Sequence, residues 1–200
     1  MIAKDGFIFI IPALFFTALF WYFRLYIPFT FFLLLTIAFL FFFRNPPRKI
    51  PELQVGEMLS PADGRVIEIV DTKEGKRLSI FLALYNVHVF RAPVAGKIET
   101  LEIVKGKYHP AYKLEASTEN SRVKVGIKGE YYSEMDVIAG VAARRIKPWK
   151  KINDTVKAGD LMGIVMFGSR TDIYIPEKFE LYVKIGDKVR GGLTKIGRYL

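Results

Sequence analysis

Two uncharged runs, Phe7 to Phe23 and Leu25 to Phe43, restrict this chain's architecture more than anything that follows them. They are 17 and 19 residues long, in the lower half of the range that carries a helix across a roughly 30 Å hydrocarbon core. Arg24, flanked by Tyr22, Tyr26 and Pro28, separates them. Both runs are apolar on every face, which predicts a transmembrane helical hairpin over residues 1–43 rather than an amphipathic pair lying in the interface. A secretory signal would have a shorter apolar core and a small-residue cleavage site. Lys4 precedes the first run and Arg44, Arg48 and Lys49 follow the second. The positive-inside rule then predicts both ends of the hairpin, and everything after it, on the cytoplasmic side of the cell membrane.

Residues 44–51 hold three prolines and read as a linker. From residue 52 to 200 the pattern changes to short β-branched and aromatic runs separated by turns, an all-β domain. Arg65 to Val70, Leu78 to Leu84, Ile98 to Val104, Arg122 to Ile127 and Met135 to Ala139 are expected strands. Two echoes stand out. Pro61-Ala-Asp-Gly-Arg-Val-Ile-Glu68 returns as Pro93-Val-Ala-Gly-Lys-Ile-Glu-Thr100, and Lys151 to Gly159 returns as Lys184 to Gly192. These offsets of 32 and 33 residues predict two related β units packed together. Both patterns resemble elements of lipoyl- and biotinyl-type domains, so a barrel-sandwich-like fold is expected. The modifiable Met-Lys pair of a carrier domain is absent.

The chain has no cysteine and only two histidines, His88 and His109, which excludes thiolate chemistry and argues against a metal centre. A net charge of +10 points to an anionic partner: a lipid surface, nucleic acid or an acidic substrate. Chemistry concentrates at Gly168-Ser169, between the strand-like runs Ile164 to Phe167 and Ile173 to Ile175. A strand glycine permits close backbone approach, so the Ser169 hydroxyl could press on the carbonyl before it. Four other stretches carry polar residues without an obvious structural need. Asp63 sits in an Asp-Gly turn; His88 lies among valines, as a catalyst or as a core histidine. Gly106 to Arg122 is a long polar segment containing His109, which reads as a loop residue. Arg144 and Arg145 could meet a phosphate or face water.

Taken in order, Ser60-Pro-Ala-Asp-Gly64, Asn86-Val-His-Val-Phe-Arg-Ala-Pro93, Ala116-Ser-Thr-Glu-Asn-Ser-Arg122, Ala139-Gly-Val-Ala-Ala-Arg-Arg-Ile146 and Phe167-Gly-Ser-Arg-Thr-Asp172 resemble the phosphatidylserine decarboxylases, in their short bacterial and archaeal form. The resemblance covers essentially all of the chain after Phe42. It implies a proenzyme that cuts itself between Gly168 and Ser169. Ser169 Oγ attacks the Gly168 carbonyl, the resulting ester eliminates, and the new residue 169 becomes a pyruvoyl group. That group forms a Schiff base with a serine headgroup and accepts the electrons released with carbon dioxide, leaving the ethanolamine lipid. The 1–168 and 169–200 fragments are expected to stay associated, with no metal, no nucleic-acid partner and the membrane as workplace; a homo-oligomer is compatible with it. Asp63 and His88 are expected participants. Arg91 stands where the long form has a second histidine, and an arginine is a poor base but a good oxyanion or carboxylate partner. Asn120, Arg122, Arg144 and Arg145 are the expected substrate-binding residues. Phosphatidylserine and its ether-lipid counterpart archaetidylserine share the reacting headgroup. Two rivals use the same residues differently: a membrane-anchored serine-lysine peptidase, and a membrane-tethered β adaptor without catalysis.

Overall fold

A computed structural model describes every residue except Leu114, Ala142 to Arg144 and Phe167. The chain divides into two compact units, Met1–Pro47 and Arg48–Leu200.

In the first unit, helices α1 (Phe7–Tyr22) and α2 (Tyr26–Phe42) pack against each other, turned by Arg24 in the left-handed conformation at φ 55°. Phe16 and Phe20 pack tilted against Phe32, and Trp21 meets Phe29. Each of Thr17 and Thr36 donates to the carbonyl four residues back, and their hydroxyls meet between the helices at 3.2 Å. The outer surface carries large apolar side chains such as Ile8, Phe15, Trp21, Phe31 and Leu34. Lys4–Tyr22, counted with its leading 3-10 turn, spans 19 residues and is long and apolar enough to cross a membrane. The second helix is apolar but falls short of that length at 17 residues.

The second unit is mostly β. Its strands are β1 (Glu57–Leu59), β2 (Gly64–Thr72), β3 (Gly75–Leu82), β4 (Val89–Arg91), β5 (Gly96–Val104), β6 (Arg122–Lys128) and β7 (Tyr132–Ala139). They continue as β8 (Ile146–Pro148), β9 (Thr155–Val156), β10 (Leu161–Val165), β11 (Ser169–Pro176), β12 (Phe179–Leu181), β13 (Lys188–Val189) and β14 (Lys195–Tyr199). One helical turn, α3 (Ala116–Glu119), interrupts them. An eight-stranded sheet runs β13-β2-β3-β11-β7-β6-β5-β9, and two three-stranded sheets run β1-β14-β12 and β4-β10-β8.

The two sequence echoes fold into equivalent halves. β13 pairs with β2 as β9 pairs with β5. The ladders β2–β3 and β5–β6 slip at matching places, between Val66 and Glu68 and between Ile98 and Thr100. Backbone bonds repeat with the same offsets: Val66 N–H to Asp187 O and Ile98 N–H to Asp154 O, both 2.9 Å. Across the junction Leu59 N–H reaches Pro93 O while Arg91 N–H reaches Pro61 O, a reciprocal exchange. The halves meet in the large sheet where β11 pairs with β7.

Alternation along the central strands decides what each face does. Ile173 and Ile175 of β11, Leu78, Ile80 and Leu82 of β3, and Met135, Val137 and Ala139 of β7 enter one core. The opposite face of the same strands presents Arg170, Asp172, Arg77, Ser79 and Asp136, and most of these are buried too. Segment 106–121 supplies the cover, with Lys113, Tyr112 and Ser117 against this face.

Candidate active site

Ser169 is the first residue of β11, where the strand-like run was expected to begin only at Ile173. It is fully buried between Leu82 of β3 and Ala139 of β7, its partners on either side. Among the described residues its Oγ has no hydrogen-bond partner. A buried hydroxyl left without a partner is unfavourable by about 1–3 kcal/mol, so its retention asks for a chemical reason.

The residue before it is constrained in its backbone and at its carbonyl. Gly168 adopts a left-handed φ of 71°, which a side chain would resist. Its carbonyl accepts the Gly140 backbone N–H at 3.1 Å. An added Cβ at Gly140 would lie 2.7 Å from that same oxygen, so residue 140 has to be glycine for the amide to approach. An amide aimed at this carbonyl is placed to stabilise negative charge when a nucleophile adds to the carbon.

His88 arrives through strand pairing. β4 runs beside β10, with Val89 opposite Ile164, and the Val165 N–H donates to His88 O at 3.0 Å. The imidazole is therefore delivered to the segment that leads into Gly168. Its Nδ1 lies 2.9 Å from Asn86 O. A carbonyl only accepts, so Nδ1 carries the proton and Nε2 the lone pair in the neutral ring, the form a base requires.

Asp63 and Arg91 come together in a second cluster. Arg48 grips the Asp63 carboxylate with both guanidinium nitrogens, at 2.6 and 2.8 Å, and the Gly191 N–H adds a third bond at 2.8 Å. Arg48 also donates to the Gly191 carbonyl. Arg91 donates to Gly159 O at 2.8 Å. Burial and the neighbouring Arg48 charge push its guanidinium down from the ordinary arginine range, while Asp63 and Asp160 oppose that shift. Asp63 thus holds residue 191, on the far side of Gly168-Ser169 in sequence, to the body of the domain.

The expected substrate-binding residues divide. Asn120 is fully buried: its amide donates to His109 O and Ala139 O, and its oxygen accepts the His109 N–H. Arg122 donates to the carbonyls of Ser117 and Thr118 and pairs with Asp136 at 3.4 Å. Both tie segment 106–121 to the sheet. Arg145 is exposed, and its carbonyl accepts the Met166 N–H at 3.1 Å, two residues before Gly168. Arg144 lies outside the described residues. His109 is a loop residue whose Nε2 meets Glu119 at 2.8 Å.

Sequence reading missed Gly140, inside a quoted motif but not singled out, and the charged network next to Ser169. Arg170 is completely buried, bonding Asp172 and Glu68 at 2.6 Å each and Ser79 beside them. Arg77 joins Glu68 at 2.8 Å, and Ser117 caps Asp172 at 2.7 Å. The signal was available as a charged alternation, Arg170, Asp172 and Tyr174, on a strand too central to face water. Asp136, opposite Asp172 in the ladder, has its carboxyl pushed up to about 6, chiefly by burial.

Comparisons with known proteins identify the family to which the chain belongs. A family model described as phosphatidylserine decarboxylase matches residues 35–197. A phosphatidylserine decarboxylase proenzyme of Carboxydothermus hydrogenoformans is 44% identical over 174 residues, covering 82% of this chain and 81% of the relative. The corresponding proenzyme of Desulfotalea psychrophila is 38% identical over 182 residues, 86% of this chain and 84% of that one. A protein of Methanosarcina mazei, provisionally named archaetidylserine decarboxylase proenzyme, is 43% identical over 163 residues, 81% and 76% of the two chains.

Proposed function

The chain belongs to the phosphatidylserine decarboxylase family of carboxy-lyases, and on that premise we propose that it cuts itself at Gly168-Ser169 and then decarboxylates a serine-headgroup phospholipid. The observation that carries this reading is the buried Ser169 Oγ, without a hydrogen-bond partner among the described residues, beside a carbonyl already polarised by the Gly140 amide. Ser169 Oγ adds to the Gly168 carbon, passing its proton to His88. The C–N bond breaks as the nitrogen is protonated, leaving an ester and a free amine on residue 169. Loss of the Ser169 Cα proton expels Gly168 as a carboxylate, and water replaces the amine of residue 169, which leaves as ammonia. The pyruvoyl group so formed supplies an electron sink for the carbanion that loss of carbon dioxide creates. Residue 169 is fully buried, which suits that role, since a water-free pocket protects such a centre.

We assign the exposed Arg145 to the lipid phosphate, and Arg144 beside it in sequence to the same task. Asn120 and Arg122 act as positioning residues for segment 106–121, and Asp63 as the clamp on residue 191. Residues 1–43 form the membrane hairpin, supported by the apolar outer surface of both helices; residues 44–51 link it to the β-rich domain of 52–200 on the cytoplasmic side. The repeated halves support a barrel-sandwich kinship. Purified protein presented with vesicles of phosphatidylserine, or of archaetidylserine, is expected to release carbon dioxide and form the matching ethanolamine lipid. Absence of both products from a fully cleaved preparation would contradict the assignment.

A further inference from the structure

Around the start of β11 the surface is apolar where turn chemistry favours polar residues. The strand expected to reach Leu84 stops at Leu82, opposite Ser169, and the chain then turns tightly. Asn86 N–H donates to Ala83 O at 2.8 Å, and the Asn86 side-chain oxygen accepts the Ala83 N–H at 2.9 Å. The corner positions of such a turn usually hold Gly, Pro, Asn, Asp or Ser. Here they are Leu84 and Tyr85, 60% and 67% exposed. Val141, 56% exposed, follows Ala139, the other strand partner of Ser169. Tyr112, 63% exposed, stands edge-on to Phe81 at 6.3 Å and brings Lys113 with it. Three segments thus lie beside the start of β11, each with an exposed apolar or tyrosine side chain, and Lys113 and Arg145 in the same segments are exposed as well.

We propose that this rim docks the catalytic domain on an anionic lipid bilayer, with Leu84, Tyr85, Tyr112 and Val141 entering the headgroup region. The proposal rests on the decarboxylase reading, which makes the substrate a membrane lipid. Tyrosine sits at bilayer interfaces with its ring buried and its hydroxyl wet, and lysine and arginine beside it meet anionic headgroups. A buried residue 169 is then approached by a headgroup that need not leave its membrane. Apolar tips of this size at the mouth of a site for a soluble substrate would only promote aggregation. The far end of β3 is built differently: the turn joining it to β2 holds Lys73 and Glu74.

The chain's lack of cysteine allows a direct test. Leu84→Cys and Lys73→Cys, in the full chain, are labelled with a polarity-sensitive nitrobenzoxadiazole probe and reconstituted in vesicles of phosphatidylglycerol and phosphatidylcholine containing a doxyl-quencher lipid. The two positions flank the eight-residue strand β3, whose ends lie about 23 Å apart at about 3.3 Å per residue. Quenching at position 84 is expected to exceed that at position 73 by about threefold, with a blue-shifted emission, and to weaken when phosphatidylglycerol is omitted. Equal quenching at the two positions overturns the proposal. So does a blue shift at position 84 that persists in detergent without lipid, which would place a second copy of the chain on this face. Self-cleavage of each variant is followed separately by intact mass. An uncut chain with position 84 still quenched would strike the decarboxylase reading, and a cut chain without quenching would strike the rim.

Discussion

Gly140 and Gly168 do different work at the cleavage point, and single substitutions separate them. At Gly168 the left-handed backbone matters, since a Cβ there would meet nothing within 4 Å. At Gly140 the constraint is proximity to the Gly168 oxygen. Gly140→Ala is therefore expected to leave a folded chain that cleaves about 100-fold more slowly, as removal of one oxyanion donor does. The rate of appearance of the 169–200 fragment after synthesis measures this, and unchanged kinetics would remove Gly140 from the mechanism. Asp136 yields a pH prediction. Its carboxyl is raised from 3.8 to about 6 by burial, with Glu134 and Asp172 adding to the shift and Arg122 and Lys124 opposing it. Between these values the folded chain binds the proton more readily than the unfolded chain, so this contribution is full below about 4 and lost as pH rises through about 6. Asp136→Asn, which mimics the protonated form, is expected to gain Tm over the wild type as pH goes from 4 to 7. A constant difference across that range would contradict it. At this scale the sequence displayed Ser169 and His88 through their motifs. It could not display Gly140, because only the pairing of β11 with β7 brings residue 140 to the carbonyl.

At the scale of elements, β11 carries the account. It is the strand that cleavage would free at its first residue, and it is also a centre of the large sheet, laddered to β3 and β7 along its length. Arg170 fastens it from the outer face through Glu68 of β2 and Ser79 of β3. Arg170→Met leaves the buried Asp172 carboxylate with Ser117 and the more distant Arg77, and Glu68 with Arg77 as its one remaining arginine of the pair; about 3–5 kcal/mol of stability is expected to go, read by urea unfolding of the Ser169→Ala background. The exposed pair of Lys76 with Asp71 is the control: Asp71→Asn should change stability by less than about 1 kcal/mol. Equal effects of the two substitutions would show that the buried network holds nothing. Strand positions were legible here because apolar alternation on β3, β6, β7 and β11 is regular, and the 32- and 33-residue echoes announced the two halves. Three features were not. β11 begins four residues before its apolar run, since Ser169 and Thr171 turn toward the core while Arg170 and Asp172 are buried on the other face by segment 106–121. The polar stretch Gly106 to Arg122 reads as an open loop, yet Asn120, Ser117 and Arg122 bind it to the sheet. The Leu84 side chain continues an apolar pattern that the backbone leaves two residues earlier.

For the whole molecule, the 169–200 segment supplies β11 to the large sheet and β14 to the middle of a three-stranded one, while Asp63 and Arg48 clamp Gly191. A chain cut at residue 168 therefore keeps its architecture, and the two fragments are expected to co-elute on gel filtration without denaturant; separate elution would contradict the sheet's role as the bond between them. The two apolar helices of residues 1–43 were legible from two long charge-free runs separated by Arg24, the position at which the backbone turns. In the proposed chemistry Ser169 converts its own backbone into the catalytic group. Intact-mass spectrometry of the wild type beside Ser169→Ala tests it most directly. The wild type should give one piece ending at Gly168 and a second with the mass of residues 169–200 capped by pyruvoyl and no free amino terminus, while the variant stays whole. A wild-type chain that remains intact in lipid, or a variant cut at the same bond, would contradict the account.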